Sequence, residues 1–93
     1  MQQDIEIYAA IEEQVRAYIV ESFLSDKDVS TINNDADLLT ILDSLQILRM
    51  VIALEKQYGI KVDESELAPE NLGSVSKIAA FIGRKQELGR HPN

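Results

Sequence analysis

The chain has 93 residues, of which 45% are hydrophobic, and it contains no cysteine. This length predicts a single domain, because two separate cores would each be too small. The lack of cysteine excludes a disulfide framework, a thiolate nucleophile and a cysteine-based zinc site. The formal net charge is −7, and an acidic surface disfavours nucleic-acid binding because it repels the phosphate backbone.

The charge is unevenly distributed along the chain. Residues 1–48 hold ten acidic and two basic residues, whereas residues 49–93 hold six acidic and seven basic residues. Such an acidic first half would steer the molecule towards basic patches on protein partners, or would serve solubility alone. The N-terminus lacks a basic segment, and no apolar run reaches membrane-spanning length. We therefore expect a soluble, intracellular protein without membrane insertion. A cytoplasmic location, with which the lack of cysteine agrees, and a monomeric state are also expected.

The segment from Asp4 to Leu24 is predicted to form a long amphipathic helix. Apolar residues recur there at helical spacing, and charged residues fall between them. The apolar set comprises Tyr8, Ile11, Val15, Tyr18, Ile19 and Phe23.

A long loop is predicted to follow, from Ser25 to about Leu42. Its first part is rich in Ser, Asn and Asp, which compete for local backbone hydrogen bonds. Its second part contains Leu38, Leu39 and Ile41, so we expect that part to pack on the core together with Leu42.

A second long helix is predicted to start at Asp43 or Ser44 and to end at Tyr58, with Gly59 in the left-handed position that often terminates helices. Apolar residues cover most of its circumference, so the helix is buried on most sides or presents part of its apolar surface to a partner. The apolar residues are Leu45, Ile47, Leu48, Met50, Val51, Ile52 and Leu54. Met50 is expected to fill a gap in the core.

The rest of the chain predicts one short and one long helix. Glu64 to Leu67 can form a single turn before Pro69, and Ser74 is placed to cap a last helix whose inward face holds Val75, Ile78, Ala79, Phe81 and Ile82. Tyr8, Tyr18 and Tyr58 have the spacing of packing residues. The predicted fold is an all-α bundle of three main helices and one short helix, in a domain spanning residues 1–88 with a frayed tail at residues 89–93.

Asp43 and Ser44 form the pair whose context predicts chemistry. Both residue types are favoured N-caps, so a purely structural role is the simplest interpretation. A helix N-terminus also suits a phosphate group, because its free N–H groups and its dipole favour an anion. The large apolar residues beside Ser44 are unusual around an exposed cap, and the long loop brings Ser44 to one end of the bundle. These features raise the hypothesis of a covalently modified serine.

The sequence resembles the acyl carrier proteins, and more broadly the phosphopantetheine-dependent carrier domains, from about Ile5 to Lys85. The resemblance rests on Leu42-Asp43-Ser44-Leu45, on the helix and exit at residues 51–60 (VIALEKQYGI), and on residues 70–75 (ENLGSV) before the last helix. Helix order, the long first loop and the chain length agree with it. The resemblance implies a four-helix bundle of the acyl-carrier type.

The resemblance also implies a function. Ser44 would carry 4′-phosphopantetheine, transferred from coenzyme A by a phosphopantetheinyl transferase with Mg²⁺, and the terminal thiol of this arm would hold acyl or aminoacyl groups as thioesters. Asp43 would help to present Ser44, and Leu45 would anchor the helix and contact partners. The protein would then be a shuttle between a loading enzyme and downstream synthases in fatty-acid, polyketide or specialised lipid biosynthesis, and not itself an enzyme.

Some residues depart from the family pattern. Fatty-acid carriers usually have acidic residues where this chain has Gln46 and Arg49, and they commonly have a glycine shortly before the Asp-Ser pair, which is absent here. We expect Leu45, Gln46, Leu48, Arg49 and Ile52 to contact partners, and the two departures to indicate a dedicated set of partner enzymes. A discrete peptidyl or aminoacyl carrier is an alternative, although the Gly-Gly-[Asp/His]-Ser pattern is missing.

Two further hypotheses belong to other classes. The chain could be a small acidic helical adaptor that binds a partner helix through Leu48 and Ile52, without covalent cargo. Alternatively, an acidic loop could bind calcium through Asp26, Asp28, Ser30, Asn34 and Asp37. Thr31 and Asp37 replace the Gly and Glu that such a loop requires, so we expect no metal site. His91, the only histidine, lies in the predicted tail, so we expect no catalytic residue.

Overall fold

Helices make up nearly all of the regular structure. A computed structural model describes the backbone of residues 2–24 and 32–90, and the side chains of residues 6–24 and 32–87. The elements are α1 (Gln2–Phe23), α2 (Leu38–Ile41), α3 (Ser44–Tyr58), a 3₁₀ turn (Glu64–Glu66), α4 (Pro69–Leu72) and α5 (Val75–Arg90). These described segments contain no strand. The predicted all-α fold with three main helices is therefore confirmed.

Helix α1 packs against α5 and buries one face, as its periodicity predicts. Ile11, Val15 and Ile19 on this face are buried. Tyr8 is 40% exposed, so its prediction as a packing residue is only partly right. Its ring lies so close to Gly83 that a Cβ atom at that position would collide with it. The missing side chain of Gly83 thus permits the close approach of α1 and α5.

A polar network fixes the end of the first loop onto α1 and α5. Arg16 Nη1 donates to Asn34 Oδ1 over 2.7 Å, and Asn34 Nδ2 donates to Glu12 Oε1 over 3.3 Å. The hydroxyl of Ser76, on α5, donates to the other Glu12 oxygen over 3.0 Å. The backbone N–H of Ser76 also donates to the Asn34 carbonyl over 3.0 Å. Asn34 therefore holds the described end of the loop in a defined position before α2.

The last part of the first loop is helical, which the sequence prediction missed. Asp37 caps α2, since its Oδ1 accepts the Leu39 N–H over 3.1 Å and its Oδ2 accepts the Thr40 hydroxyl over 2.9 Å. Only residues four positions apart in this segment enter the core. Leu38 and Leu42 are buried, whereas Leu39 and Ile41 are exposed. The expectation that Leu39 and Ile41 pack on the core was wrong, because the helical turn points only Leu38 and Leu42 inwards and leaves both other side chains exposed.

Helix α3 has the predicted bounds. Asp43 is its N-cap and Ser44 its first residue, and it ends at Gly59, whose φ of 65° is left-handed. Met50, Val51 and Leu54 form its buried face, so Met50 is the core residue that was predicted. Leu45 is 58% exposed and does not anchor the helix, contrary to expectation. Since the buried face is narrow, much of the apolar circumference of α3 meets solvent.

Gly59→Ala should destabilise the protein by about 1–2 kcal/mol, the cost of placing an L-residue in the left-handed region. A Cβ atom at Gly59 would meet nothing within 4 Å, so backbone strain alone would cause the loss. Urea unfolding measures it. Gly59→Asn is the control, because Asn tolerates this conformation better and should cost less. Equal stability of Gly59→Ala and the parent would contradict the left-handed assignment.

The connection between α3 and α5 contains two short elements. The 3₁₀ turn matches the turn predicted near Glu64, whereas α4 was not predicted. Pro69 starts α4, and proline is favoured at the first helical position because it needs no N–H there. Ser74 caps α5 as predicted, accepting the Lys77 N–H on Oγ over 3.2 Å. Helix α5 continues to Arg90, and residues 91–93, with His91, lie outside the described residues.

The core draws on every α-helix. It includes the largest fully buried side chains, namely Val15, Ile19, Val20, Leu38, Met50, Val75, Ile78 and Ile82. Tyr18 and Tyr58 pack against this core as half-buried residues, as predicted. No described helix is both long and apolar enough to span a lipid bilayer.

Candidate functional site

Asp43 and Gln46 form a reciprocal cap at the start of α3. Asp43 Oδ1 accepts the Gln46 N–H over 2.8 Å, and Gln46 Oε1 accepts the Asp43 N–H over 3.0 Å. This capping box satisfies a donor that the helix itself leaves free and fixes the direction in which the chain enters α3. Ser44, between the two, is exposed and does not take part in the cap. Its hydroxyl is therefore presented at a rigid helix end.

Helix α2 positions this helix end. The Leu38 N–H donates to the Gly73 carbonyl over 2.9 Å, and the Leu42 N–H donates to the Leu38 carbonyl over 2.8 Å. Both leucine side chains are buried, so the residues immediately before Asp43 are fixed by packing and by hydrogen bonds. Ser44 is thus held on both sides, by α2 before it and by α3 after it.

An apolar groove of about 420 Å³ opens beside Ser44. It lies between the start of α3, the residues before it, and the segment that follows the 3₁₀ turn. Its lining is Leu39, Leu42, Asp43, Ser44, Ile47, Leu48, Leu67, Ala68, Pro69 and Leu72. Apart from Asp43 and Ser44 this lining is apolar, so the groove can take a hydrocarbon chain attached near Ser44.

The surface of α3 next to Ser44 is unusually apolar for an exposed helix face. Leu45, Leu48 and Ile52 are 58%, 48% and 54% exposed, and Arg49 between them is exposed as well. The structure therefore brings four of the five predicted partner-contact residues together on one surface. Gln46, the fifth, is half-buried and uses its side chain in the capping box. Contact of these residues with partners stays a prediction.

The family profile described as a phosphopantetheine attachment site matches residues 17–82, which include the whole of this site. The chain belongs to the acyl carrier protein family. An acyl carrier protein of Thermotoga maritima is 34% identical over 71 residues, which cover 71% of this chain and 85% of the relative. One from Akkermansia muciniphila is 35% identical over 79 residues, covering 83% of this chain and 94% of the relative.

A polyketide relative is also similar. The polyketide-8 synthase acyl carrier protein 2 of Streptomyces avermitilis is 39% identical over 57 residues, which cover 59% of this chain and 63% of the relative. The predicted membership of the acyl carrier family is thus confirmed.

An ion pair holds one wall of the groove. Lys85 Nζ, on α5, lies 2.9 and 3.2 Å from the two carboxylate oxygens of Glu66 in the 3₁₀ turn. The Asp63 N–H also donates to Glu66 over 2.9 Å. This backbone hydrogen bond, followed by that from Lys85, lowers the pKa of Glu66 below its ordinary value. Leu67, directly after Glu66, lines the groove, so the pair ties that wall to α5.

Because the pKa of Glu66 is lowered on folding, its carboxylate contributes stability above the pKa of an unfolded Glu, and this contribution is lost as the pH falls through the folded pKa. We expect the melting temperature to fall as the pH is lowered from the pKa of an unfolded Glu through the lower pKa of the folded Glu66. The same decrease in pH should lower the melting temperature of Glu66→Gln by less. Glu64→Gln, which removes an exposed carboxylate from the same turn, is the control. Identical acid profiles of Glu66→Gln and the parent would contradict this role.

The two described residues of the calcium hypothesis, Asn34 and Asp37, have other partners. Asn34 is engaged with Arg16 and Glu12, and Asp37 caps α2. Asp26, Asp28 and Ser30 lie outside the described residues. Among residues 6–24 and 32–87, no cluster of three or more potential His, Cys, Asp or Glu ligands occurs.

Sequence reasoning missed the far wall of the groove, formed by Leu67, Ala68 and Pro69. The sequence held a partial signal for this wall, since Leu67 is an apolar residue between a predicted turn and a proline. Leu67 is distant from Ser44 in the sequence, so local patterns could not show that the two residues line the same groove. Only the packing of α4 on α2 and α5 brings this segment opposite α3.

Proposed function

We propose that Ser44 carries 4′-phosphopantetheine and that the protein shuttles acyl groups between enzymes as thioesters of this arm. The observation that carries the proposal is the position of Ser44, exposed at the first residue of α3 and at the edge of an apolar groove. Family membership supports the same cofactor.

The start of α3 suits a phosphodiester. The first N–H groups of a helix have no partner within it, and the Asp43 side chain occupies only that of Gln46. The N–H groups of Ser44 and Leu45 can therefore face an anion, and the helix dipole adds a favourable potential there. In the transfer, Ser44 Oγ forms a bond to the phosphorus next to pantetheine. The pyrophosphate bond of coenzyme A breaks, the adenosine 3′,5′-bisphosphate moiety leaves, and the hydroxyl proton passes to a base or to water in the transferase.

The groove favours an acyl cargo over an aminoacyl cargo. An alkyl chain gains free energy by leaving water, at about 0.8 kcal/mol per buried CH₂ group. The ammonium of an aminoacyl group would lose its hydration against the apolar walls formed by residues such as Ile47 and Leu72. We therefore prefer fatty-acyl or polyketide intermediates.

We propose that the partners are a phosphopantetheinyl transferase, an acyl-loading enzyme and downstream synthases, and that the carrier meets them as a cytoplasmic monomer. Bond formation on the cargo would take place in those enzymes, so the carrier itself would not be an enzyme. The exposed residues Leu45, Leu48 and Ile52 offer these enzymes an apolar contact next to the arm.

Intact-mass measurement tests the proposal. The protein is incubated with coenzyme A, Mg²⁺ and a broad-specificity phosphopantetheinyl transferase, and we expect a gain of one phosphopantetheine. Fragmentation should place this mass on the peptide that contains Ser44. No gain, under conditions that fully modify a known carrier, would refute the proposal. If the mass is gained, mass spectrometry of protein isolated from its host would identify the cargo.

A further inference from the structure

One stripe of α3 combines apolar and cationic side chains. Leu45, Arg49, Ile52 and Lys56 are spaced by four, three and four residues, which places them on one helix face. All four are exposed. We refer to these residues as the cationic stripe. At 1.5 Å per residue, the stripe runs about 18 Å along the axis from Ser44, a length that a protein partner can cover.

The stripe contains no compensating carboxylate from its own helix. Glu55 is the only acidic residue of α3, and it is half-buried beside the stripe. Its Oε2 accepts the Val62 N–H over 2.9 Å, which directs the carboxylate towards the segment after the helix. The outer face of α3 therefore presents two positive charges among apolar side chains.

This positive face belongs to a molecule with a net charge of −7. A basic partner surface would be drawn towards the acidic residues elsewhere in the chain and repelled by Arg49 and Lys56. An acidic partner surface would be repelled by most of the molecule and attracted by the stripe. Complementary charges govern the orientation and rate of encounter more than the final affinity. At the stripe itself the charges thus favour an acidic partner surface, and repulsion by the rest of the molecule restricts the orientations in which that surface can dock.

We propose that the cationic stripe docks on enzyme surfaces that present an apolar hollow bordered by Asp or Glu side chains. This proposal rests on the proposed carrier function, because an enzyme docked on the stripe would act on the arm attached to Ser44. Leu45 and Ile52 enter the hollow, while Arg49 and Lys56 pair with the bordering carboxylates. Arg49, nearer to Ser44, fixes the orientation close to the arm, and Lys56 fixes the far end.

The test uses two synthetic helical-hairpin peptides as probes, in which the apolar groove between the two helices is bordered by either Glu or Lys. Each is titrated into the isotope-labelled full chain, and backbone amide NMR shifts are followed. We expect the Glu peptide to shift the amides of Leu45, Arg49, Ile52 and Lys56. Reversal of both charges, Arg49→Glu with Lys56→Glu, should weaken its binding roughly three- to tenfold, given the strength of exposed ion pairs. Added salt should reduce this difference.

The matched control is Lys61→Glu with Lys77→Glu, two exposed lysines outside the stripe, which changes the net charge by the same amount. It should weaken binding of the Glu peptide clearly less. Equal weakening by both pairs, tighter binding of the Lys peptide at the stripe, or shifts located elsewhere would overturn the proposal. Ser44→Ala separates the two proposals: it should keep peptide binding, whereas failure of the transferase reaction in the parent protein would refute only the carrier function.

Discussion

Ser44→Ala is expected to abolish the gain of phosphopantetheine completely and to leave the free energy of unfolding within about 0.5 kcal/mol of the parent, the usual range for a surface substitution. The two effects separate because the capping hydrogen bonds are made by Asp43 and Gln46. The Ser44 side chain is exposed, and alanine is well tolerated at a helix start. Intact mass after the transferase reaction and urea unfolding of the same sample measure both.

Ser65→Ala is the matched control for the mass measurement. Ser65 is also an exposed serine within a helical turn, but it lies in the 3₁₀ turn and not at the start of a long helix. It should be modified as fully as the parent protein. If Ser44→Ala still gained the mass, the modified residue would lie elsewhere, and the geometry of α3 would have to be explained by capping alone.

The capping box gives Asp43 a structural role that does not depend on any cofactor. Its side chain already fixes the start of α3. An Asp43 variant that is modified more slowly by the transferase could therefore have lost either this cap or a contact with the transferase. Asp43→Asn keeps an acceptor for the Gln46 N–H and removes the charge. The ratio of its modification rate to that of Asp43→Ala therefore separates the two roles.

Local patterns in the sequence were sufficient for the long helices and for the position of Ser44. The cap at Asp43, the left-handed Gly59 and the cap at Ser74 are each set by residues within a few positions. Helical periodicity also identified the apolar residues of α3. It could not tell which of them meet solvent, because Met50 and Ile52 are equally apolar, and only packing with other elements buries the first.

The groove could not be predicted because it depends on contacts distant in sequence. The Glu66–Lys85 pair joins residues 19 positions apart, and the Leu38–Gly73 hydrogen bond joins α2 to the end of α4. Such contacts follow from the packing of several elements together. Short helices raise the same difficulty, since α2 and α4 have four residues each and isolated turns of that length are unstable without tertiary contacts.

Leu38→Ala is expected to destabilise the protein by about 2–5 kcal/mol, the usual cost of replacing a buried leucine in a core. Leu38 is fully buried and is the residue through which α2 packs on the core. A domain of this kind has a total stability of about 5–15 kcal/mol, so the loss is a large part of it. We expect a lower urea midpoint with an unchanged slope, since the surface exposed on unfolding stays nearly the same.

Leu39→Ala supplies the control within the same turn. Leu39 is 42% exposed and lines the groove, so its truncation should cost less than about 1 kcal/mol, as for most surface substitutions. Hydrogen exchange adds a local measurement, because the Leu42 N–H donates to the Leu38 carbonyl and should exchange faster in Leu38→Ala than in Leu39→Ala. Equal losses in the two variants would mean that α2 does not pack through Leu38. The start of α3, and with it Ser44, would then be held by the capping box alone.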